Sequence, residues 1–280
     1  MTVWISDMTT LVVPLDGRDE SVRAVPVAGR LSNRLGIGIQ LIGAGNEAED
    51  ERMAWMQAVA DRYLPDSKVE IRLVPDAEPV DAIVAAAGTT GLVCMATAAS
   101  LLPHQGHIGS VAEGVTRDLL RPLFLVGPEM TPDPGESTQR IIVPVDGSPL
   151  SETAIPIAAE LAKKLAVPLW IVSIVSPQQQ RDAEAQMGQD IGAAESGYVR
   201  GLAKGIDNGI DAEWEVLHGN DQAGAIVDFT GDDGTIFMTT HGRSGLTRLF
   251  GGSVATAVVA RSKRAVIVYR PIRPSEMSDL

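Results

Sequence analysis

Cysteine is almost absent from this sequence, since Cys94 is the only one among 280 residues. A single thiol excludes an internal disulfide framework and is typical of a protein kept in a reducing compartment. Because Cys94 lies in an apolar run (LVCM), we predict a buried structural thiol and not a reactive one. Aromatic residues are also scarce, at 4%. The core must therefore be built from Ala, Val, Ile and Leu, as in parallel α/β sheets.

The sequence lacks two further features, and each makes a class of function less fitting. No apolar run reaches the length of a membrane-spanning helix, and the first residues lack a basic stretch followed by an apolar one. Positive charge is in deficit, because 23 Lys and Arg stand against 36 Asp and Glu, for a formal net charge of −13. This deficit argues against nucleic acid or an anionic membrane as a partner. We therefore expect a cytoplasmic protein that binds neither.

What the sequence does contain is an internal repeat of alternating strand and helix patterns. The segment IIVPVDG around Asp146 repeats LVVPLDG around Asp16 without a gap, at an offset of 146 − 16 = 130. Further along, Gly252 matches Gly109 at an offset of 252 − 109 = 143. Repeats of this length indicate duplicated structural units. We predict two homologous α/β domains, 1–128 and 138–274, on either side of a linker rich in Pro, Gly and acidic residues.

A glycine-rich loop near the end of the second domain is the main functional signal. It follows a strand-like run (TIFMT) and ends at Gly252, just before a helix that starts near Ser253. Glycines permit positive φ and close approach of a ligand to the backbone, and a helix N-terminus presents N–H groups to anions. The loop therefore predicts a phosphate site. Its spacing, Gly-x2-Gly-x6-Gly-Ser, is neither a Walker loop nor the dinucleotide fingerprint.

The doubled Val-Pro-Val-Asp-Gly pattern and the late glycine loop together resemble the universal stress protein family over nearly the whole chain. This resemblance implies two tandem, open, five-stranded parallel-sheet domains that are Rossmann-like (adenine nucleotide alpha hydrolase-like), with strand order 3-2-1-4-5. It also implies ATP, bound with Mg²⁺ at the carboxyl ends of strands 1 and 4. The switch-point rule for open α/β sheets places a ligand at that same edge.

The resemblance carries over to individual residues of the second domain. Asp146, Pro144 and Ile174 are expected at the adenosine end, while the glycines and the helix start are expected at the phosphates. Thr239 departs from the family, which often has Gly there. The complete predicted set is Pro144, Asp146, Ile174, Met238, Thr239, His241, Gly242, Arg243, Gly245, Gly252, Ser253 and Val254.

The residues themselves leave some roles open. Asp146 is followed by Gly-Ser, so an Asx turn or a helix cap is an alternative to ligand binding. His241 and Arg243 could reach phosphate oxygens or simply face solvent. In the first domain, Ala99 and Leu102 stand where the second has glycines, and their side chains crowd the phosphate path. We therefore expect nucleotide mainly in the second domain and predict no metal site made of protein side chains.

Three functions fit these features. We favour a non-enzymatic, ATP-binding regulatory module of the stress response, acting through a protein partner that the sequence does not identify. The first alternative is an enzyme that slowly hydrolyses ATP or transfers its nucleotidyl or phosphoryl group, although no catalytic residue can be named. The second is an interaction module that binds no nucleotide.

The last strand of each domain predicts how the domains assemble. The segments 123–126 and 265–269 are apolar and carry neither the charge nor the proline that would protect a sheet edge. Single-domain members of the resembled family dimerise through this strand. We expect the two strands to pair antiparallel within one chain, as an intrachain pseudo-dimer, with a homodimer as a second mode of assembly.

Overall fold

The computed structural model describes residues 7–45, 49–98, 108–130, 138–187, 191–206, 209–240 and 253–271. These ranges contain ten strands: β1 (Thr10–Pro14), β2 (Gly38–Ala44), β3 (Val69–Val74), β4 (Gly91–Ala96), β5 (Leu123–Val126), β6 (Arg140–Val145), β7 (Leu169–Val175), β8 (Ala212–His218), β9 (Gly234–Thr239) and β10 (Val266–Tyr269).

The same ranges contain eleven helices: α1 (Asp19–Val22), α2 (Ala24–Leu35), α3 (Glu49–Tyr63), α4 (Pro79–Ala87), α5 (Ser110–Asp118), α6 (Pro149–Glu152), α7 (Ala154–Leu165), α8 (Pro177–Met187), α9 (Ile191–Lys204), α10 (Gln222–Thr230) and α11 (Ser253–Arg261). None of the helices in the described ranges is long and apolar enough to cross a membrane.

All ten strands belong to one sheet, in the order β3-β2-β1-β4-β5-β10-β9-β6-β7-β8. Each half of the sheet has the order 3-2-1-4-5 when its strands are counted from its own first strand, as predicted. Within each half the strands are parallel. Parallel strands need crossover connections, and the helices that make them cover both faces of the sheet. The predicted α/β fold class is confirmed.

The two halves meet through β5 and β10, which pair antiparallel at the centre of the sheet. Ile267 lies opposite Phe124 in this pairing, and both side chains are buried. The strand pairing within one chain is the one predicted from the sequence, and it removes two exposed sheet edges. The homodimer and the domain bounds of 1–128 and 138–274 stay predictions.

Apolar residues on alternate positions of the strands build two cores, one on each face of the sheet. On one face, α2, α3, α7 and α9 cover residues such as Leu11 and Ile141. On the other, α4, α5, α10 and α11 cover residues such as Val12 and Ile236. Cys94 is fully buried in the first core, and burial raises the pKa of its thiol to about 12. The prediction of a structural thiol is therefore confirmed.

The longer second half differs from the first by one helix. The sequence places 13 extra residues in that region, the difference between the offsets of 143 and 130. Helix α8 lies there, packs against α9, and has no counterpart in the described part of the first half. It therefore widens the second half at the carboxyl end of β7, beside the candidate site.

Candidate nucleotide site

A cavity of about 270 Å³ opens at the carboxyl ends of β6, β7 and β9. Strand β6 pairs with β7 on one side and β9 on the other, so the strand order reverses at β6. Such a switch point is where open α/β sheets bind ligands. The volume is just below the usual range for small-molecule sites, about 300–1,000 Å³. It suits a nucleoside better than a whole nucleoside triphosphate.

The structure brings half of the predicted site residues together around this cavity. Its walls include Pro144, Asp146, Ile174, Met238, Thr239 and Val254. The other predicted loop residues lie outside the described ranges: His241, Gly242, Arg243, Gly245 and Gly252. Ser253 is the first residue of α11, as predicted, and Val254 and Ala255 of the same first turn line the cavity.

Asp146 is held in place by the chain that follows it. Ser148 donates two hydrogen bonds to Asp146 Oδ1, from its backbone N at 3.0 Å and from its Oγ at 2.6 Å. The Oγ of Ser148 in turn accepts from Ser151 N and caps α6. The Asx turn considered for Asp146 is thus present, while the cap itself is Ser148. Because a carboxylate accepts about four hydrogen bonds, Asp146 keeps capacity for a ligand.

The same contacts keep Asp146 ionised. Partial burial raises the pKa of its carboxyl group, but hydrogen bonds from Ser148 and Ser151 lower it by more. The net effect is a pKa below the usual value. At neutral pH the cavity therefore presents a negative charge, which suits hydroxyl and amino donors and repels phosphate.

Thr240, just beyond β9, is a wall residue that the sequence gave no reason to choose. Its side chain is 2% exposed, and its Oγ1 has no hydrogen-bond partner within the described part of the chain. Its backbone N donates to Tyr269 O at 2.9 Å, which fixes the residue against β10. A buried hydroxyl without a partner is costly, so this atom is available to a ligand that reaches the cavity floor.

Acidic side chains gather at the other end of the cavity. Ser173 Oγ on β7 donates to Glu195 Oε2 on α9 at 2.9 Å, and both residues line the cavity. Next to them, Tyr198 OH donates to Glu152 Oε1 at 2.8 Å. Burial, then the bond to Glu152 and the nearby carboxylates, raise the pKa of Tyr198, so its hydroxyl stays protonated. Sequence patterns did not single out these residues, because they come from separate elements.

Two arginines lie in the corresponding region of the first half. The Arg18 guanidinium binds the Asp16 carboxylate, with Nε 2.8 Å from Oδ2. Buried Arg52 donates from Nη2 to Leu15 O at 2.7 Å. By the repeat offsets, Arg18 corresponds to Ser148 (18 + 130) and Arg52 to Glu195 (52 + 143). The cavity that remains beside Arg52 measures about 10 Å³.

No cluster of three or more His, Cys, Asp or Glu that could hold a metal ion occurs among the described residues. Mg²⁺ in proteins is commonly bound through one or two carboxylates together with substrate phosphates.

Comparison with known proteins finds a family match in the second half of the chain. A model described as "Universal stress protein family" matches residues 137–270. Universal stress proteins of Mycobacterium tuberculosis and Mycobacterium bovis are each 26% identical to this chain over 204 residues. The match covers 69% of this chain and 66% of each relative. The chain thus spans slightly less than two thirds of the length of these relatives.

A solved structure extends the likeness in fold to nearly the whole chain. The crystal structure of a universal stress protein from Archaeoglobus fulgidus superposes with a TM-score of 0.63 at 20% sequence identity. The superposition covers 96% of this chain and 98% of that one. At this identity the likeness concerns the fold, including the arrangement of two similar halves.

Proposed function

We propose that this chain, whose residues 137–270 match the universal stress protein family, binds one adenine nucleotide, ATP, in the cavity of its second half. The observation that carries the proposal is the cavity of about 270 Å³ at the switch point beside β6. Apolar side chains, among them Ile174 and Met238, offer surfaces for a base. Asp146 offers a fixed carboxylate for ribose hydroxyls.

The order of chemical groups along the sheet edge gives the nucleotide a direction. Helix α11 starts beside β9, and its first N–H groups and positive dipole end favour phosphate. Carboxylates of Asp146 and Glu195 lie at β6 and on α9, and they repel phosphate. The nucleoside therefore lies over β6 and β7, and the phosphates extend toward the start of α11. In the proposed complex Mg²⁺ neutralises the phosphates.

The first half supports the proposal by contrast. Its equivalent carboxylate, Asp16, already has a guanidinium partner in Arg18. A second guanidinium, that of Arg52, occupies the position of Glu195 and leaves about 10 Å³ beside it. A nucleoside would have to displace both arginines. We therefore propose a stoichiometry of one nucleotide per chain.

We further propose that the bound nucleotide is a regulatory signal and not a substrate. Asp146 is the carboxylate nearest the proposed ribose, and its Oδ1 already holds Ser148, so its role is to position the ligand. A change of nucleotide would alter the start of α11, which packs against α10. The protein partner that reads this change in the stress response is unidentified. The rival function is slow ATP hydrolysis or group transfer.

Matched substitutions in the two halves test the proposed site. Asp146→Ala should weaken ATP binding at least about tenfold, because a hydrogen bond to a charged group is lost. Asp16→Ala removes the equivalent carboxylate of the first half and should leave the affinity within about twofold. Isothermal titration calorimetry with ATP and Mg²⁺ measures both. Equal losses in the two variants, or no binding by the wild type, would contradict the proposal.

A further inference from the structure

We infer that Glu195, oriented by Ser173, selects the base of the nucleotide by accepting a hydrogen bond from an exocyclic amino group. The site would then prefer adenine to a base with a keto oxygen at the same position. This inference rests on the proposed function and adds a specificity-determining pair to it. The pair lies at β7 and α9, outside the residues chosen from the sequence.

The hydrogen bond between the two side chains fixes which polar groups face the ligand. The Ser173 hydroxyl donates a hydrogen bond to Glu195 Oε2 across the 2.9 Å contact, and a carboxylate oxygen serves as a hydrogen-bond acceptor. What remains for the ligand are the lone pairs of Ser173 Oγ and the other oxygen of Glu195. Ser173 is 2% exposed, so this arrangement is held within the wall. The wall therefore presents hydrogen-bond acceptors, and the ligand group that contacts it must be a hydrogen-bond donor.

The position of the pair along the sheet edge assigns that donor to the base. Strands β9, β6 and β7 are consecutive neighbours, about 4.8 Å apart in such sheets. With the phosphates at α11 beside β9 and the ribose at Asp146, directly after β6, the base falls over β7. Ile174, the neighbour of Ser173 on β7, also lines the cavity and offers the base an apolar contact.

Adenine meets the requirement because its 6-amino group is a donor. Hypoxanthine has a keto oxygen in the same place, which would face the acceptors of Ser173 and Glu195. Two acceptors in contact leave both unsatisfied, and a site built to bond a donor rejects an analogue that lacks it. The expected result is discrimination between ATP and inosine triphosphate (ITP), which share the same ribose and phosphates.

In the first half, a basic residue occupies the position equivalent to Glu195. Arg52 corresponds to Glu195, and Gly43 (43 + 130) corresponds to Ser173. There the side chain on the helix turns a guanidinium onto Leu15 O, and the space is filled from within. The residue at this position thus determines what lies over the end of the second strand of each half.

The experiment compares ATP and ITP binding by calorimetry in the wild type and three variants. The wild type should bind ATP at least about tenfold tighter than ITP. Glu195→Gln should bring the ratio within about threefold, because the amide can turn its NH₂ toward a keto oxygen. Ser173→Ala leaves Glu195 unoriented and should also reduce the ratio. Glu213→Gln makes the same charge change at an exposed position of β8 and should keep the wild-type ratio.

The possible results distinguish a failure of this inference from a failure of the proposed function. If Glu195→Gln weakens ATP and ITP equally, Glu195 contacts the ribose or acts through charge, and base selection by this pair is wrong. A wild type that binds ATP and ITP equally well also overturns the inference, while nucleotide binding itself still stands. A wild type that binds neither nucleotide overturns both. Far-ultraviolet circular dichroism establishes that each variant is folded before it is titrated.

Discussion

Two aspartates at equivalent positions of the repeat have different neighbours, and this difference separates the two halves of the protein. Asp146 bonds to the small side chain of Ser148, which leaves its carboxylate open to the cavity. Asp16 bonds to Arg18, so its carboxylate already has a guanidinium partner. A single side chain two positions along the chain thus sets which group binds each carboxylate.

Asp221 is the residue through which the α10 wall of the cavity is held to α11. Its Oδ1 accepts from Gly224 N at 3.1 Å and caps α10, and its Oδ2 pairs with Arg261 of α11. The backbone bond from Gly224 and then the side chain of Arg261 lower the pKa of Asp221. The stabilisation is therefore complete above the pKa of the unfolded chain and is lost as pH falls through the lower pKa of the folded chain.

We predict that Asp221→Ala lowers the free energy of unfolding by about 1 kcal/mol at pH 7, the usual cost of losing a helix cap. Asp221→Asn is the matched control, because asparagine keeps the cap and loses only an exposed ion pair. Urea unfolding at several pH values measures both. The advantage of the wild type over Asp221→Ala should be constant above about pH 5 and shrink below about pH 4. An advantage that grows as pH falls would contradict this account.

At the scale of elements, the contact between the halves depends on more than the strand pair β5–β10. Gly127 follows β5, and a Cβ built on it would lie 2.0 Å from Val259 O in α11. The backbone of one half thus touches the helix that begins at the candidate site of the other. Only glycine permits this approach, since the obstructing atom is a backbone carbonyl.

We predict that Gly127→Ala lowers the free energy of unfolding by about 1–3 kcal/mol, the usual cost of overpacking. Gly201→Ala is the control, because a Cβ at Gly201 in α9 has no atom within 4 Å. That substitution should be neutral or stabilise by up to about 1 kcal/mol, since alanine favours helix. Urea unfolding of both variants checks the prediction. Equal stability of the two variants would contradict the prediction, because it would mean that α11 moves to accommodate the extra carbon at little cost in free energy.

Sequence patterns predicted the strands and helices whose apolar residues recur with a clear period. They did not predict the features that depend on tertiary packing. The repeat around Asp16 and Asp146 gave the strands and the site location, and the resemblance gave the strand order. Helix α8 escaped prediction because its sequence, PQQQRDAEAQM, has almost no apolar face. Glu195 looked like an ordinary helix residue, and only its contact with Ser173, 22 positions away, reveals its place in the wall.

Arg52 shows the same limit in the first half. Arginine is rarely buried without a partner, and nothing in this acidic helix singled out Arg52 from the sequence. The structure instead buries it to 8% exposure against Leu15 O. Comparing equivalent positions of the repeat would have exposed the reversal from Arg52 to Glu195, because the offset of 143 aligns them. From the sequence, the halves differed visibly only in the 13 extra residues of the second half and in the loss of loop glycines at Ala99 and Leu102.

At the scale of the whole molecule, one continuous sheet joins two halves with the same strand order and different sites. One half presents a cavity with Asp146 and Glu195 in its walls, and the other has arginines at the equivalent positions. A duplicated chain of this kind can keep nucleotide binding in one half while the other provides a stable partner for its β10 edge. The central claim is therefore one retained nucleotide per chain.

Native mass spectrometry of the purified chain mixed with one equivalent of ATP and excess Mg²⁺ tests this claim most directly. We predict a single adduct with the mass of one ATP, with or without Mg²⁺, and no second adduct when ATP is raised to several equivalents. The bound mass should remain that of ATP for about a minute or longer, well beyond the turnover time of ordinary enzymes. Two adducts of equal strength, or conversion to ADP within seconds, would contradict it.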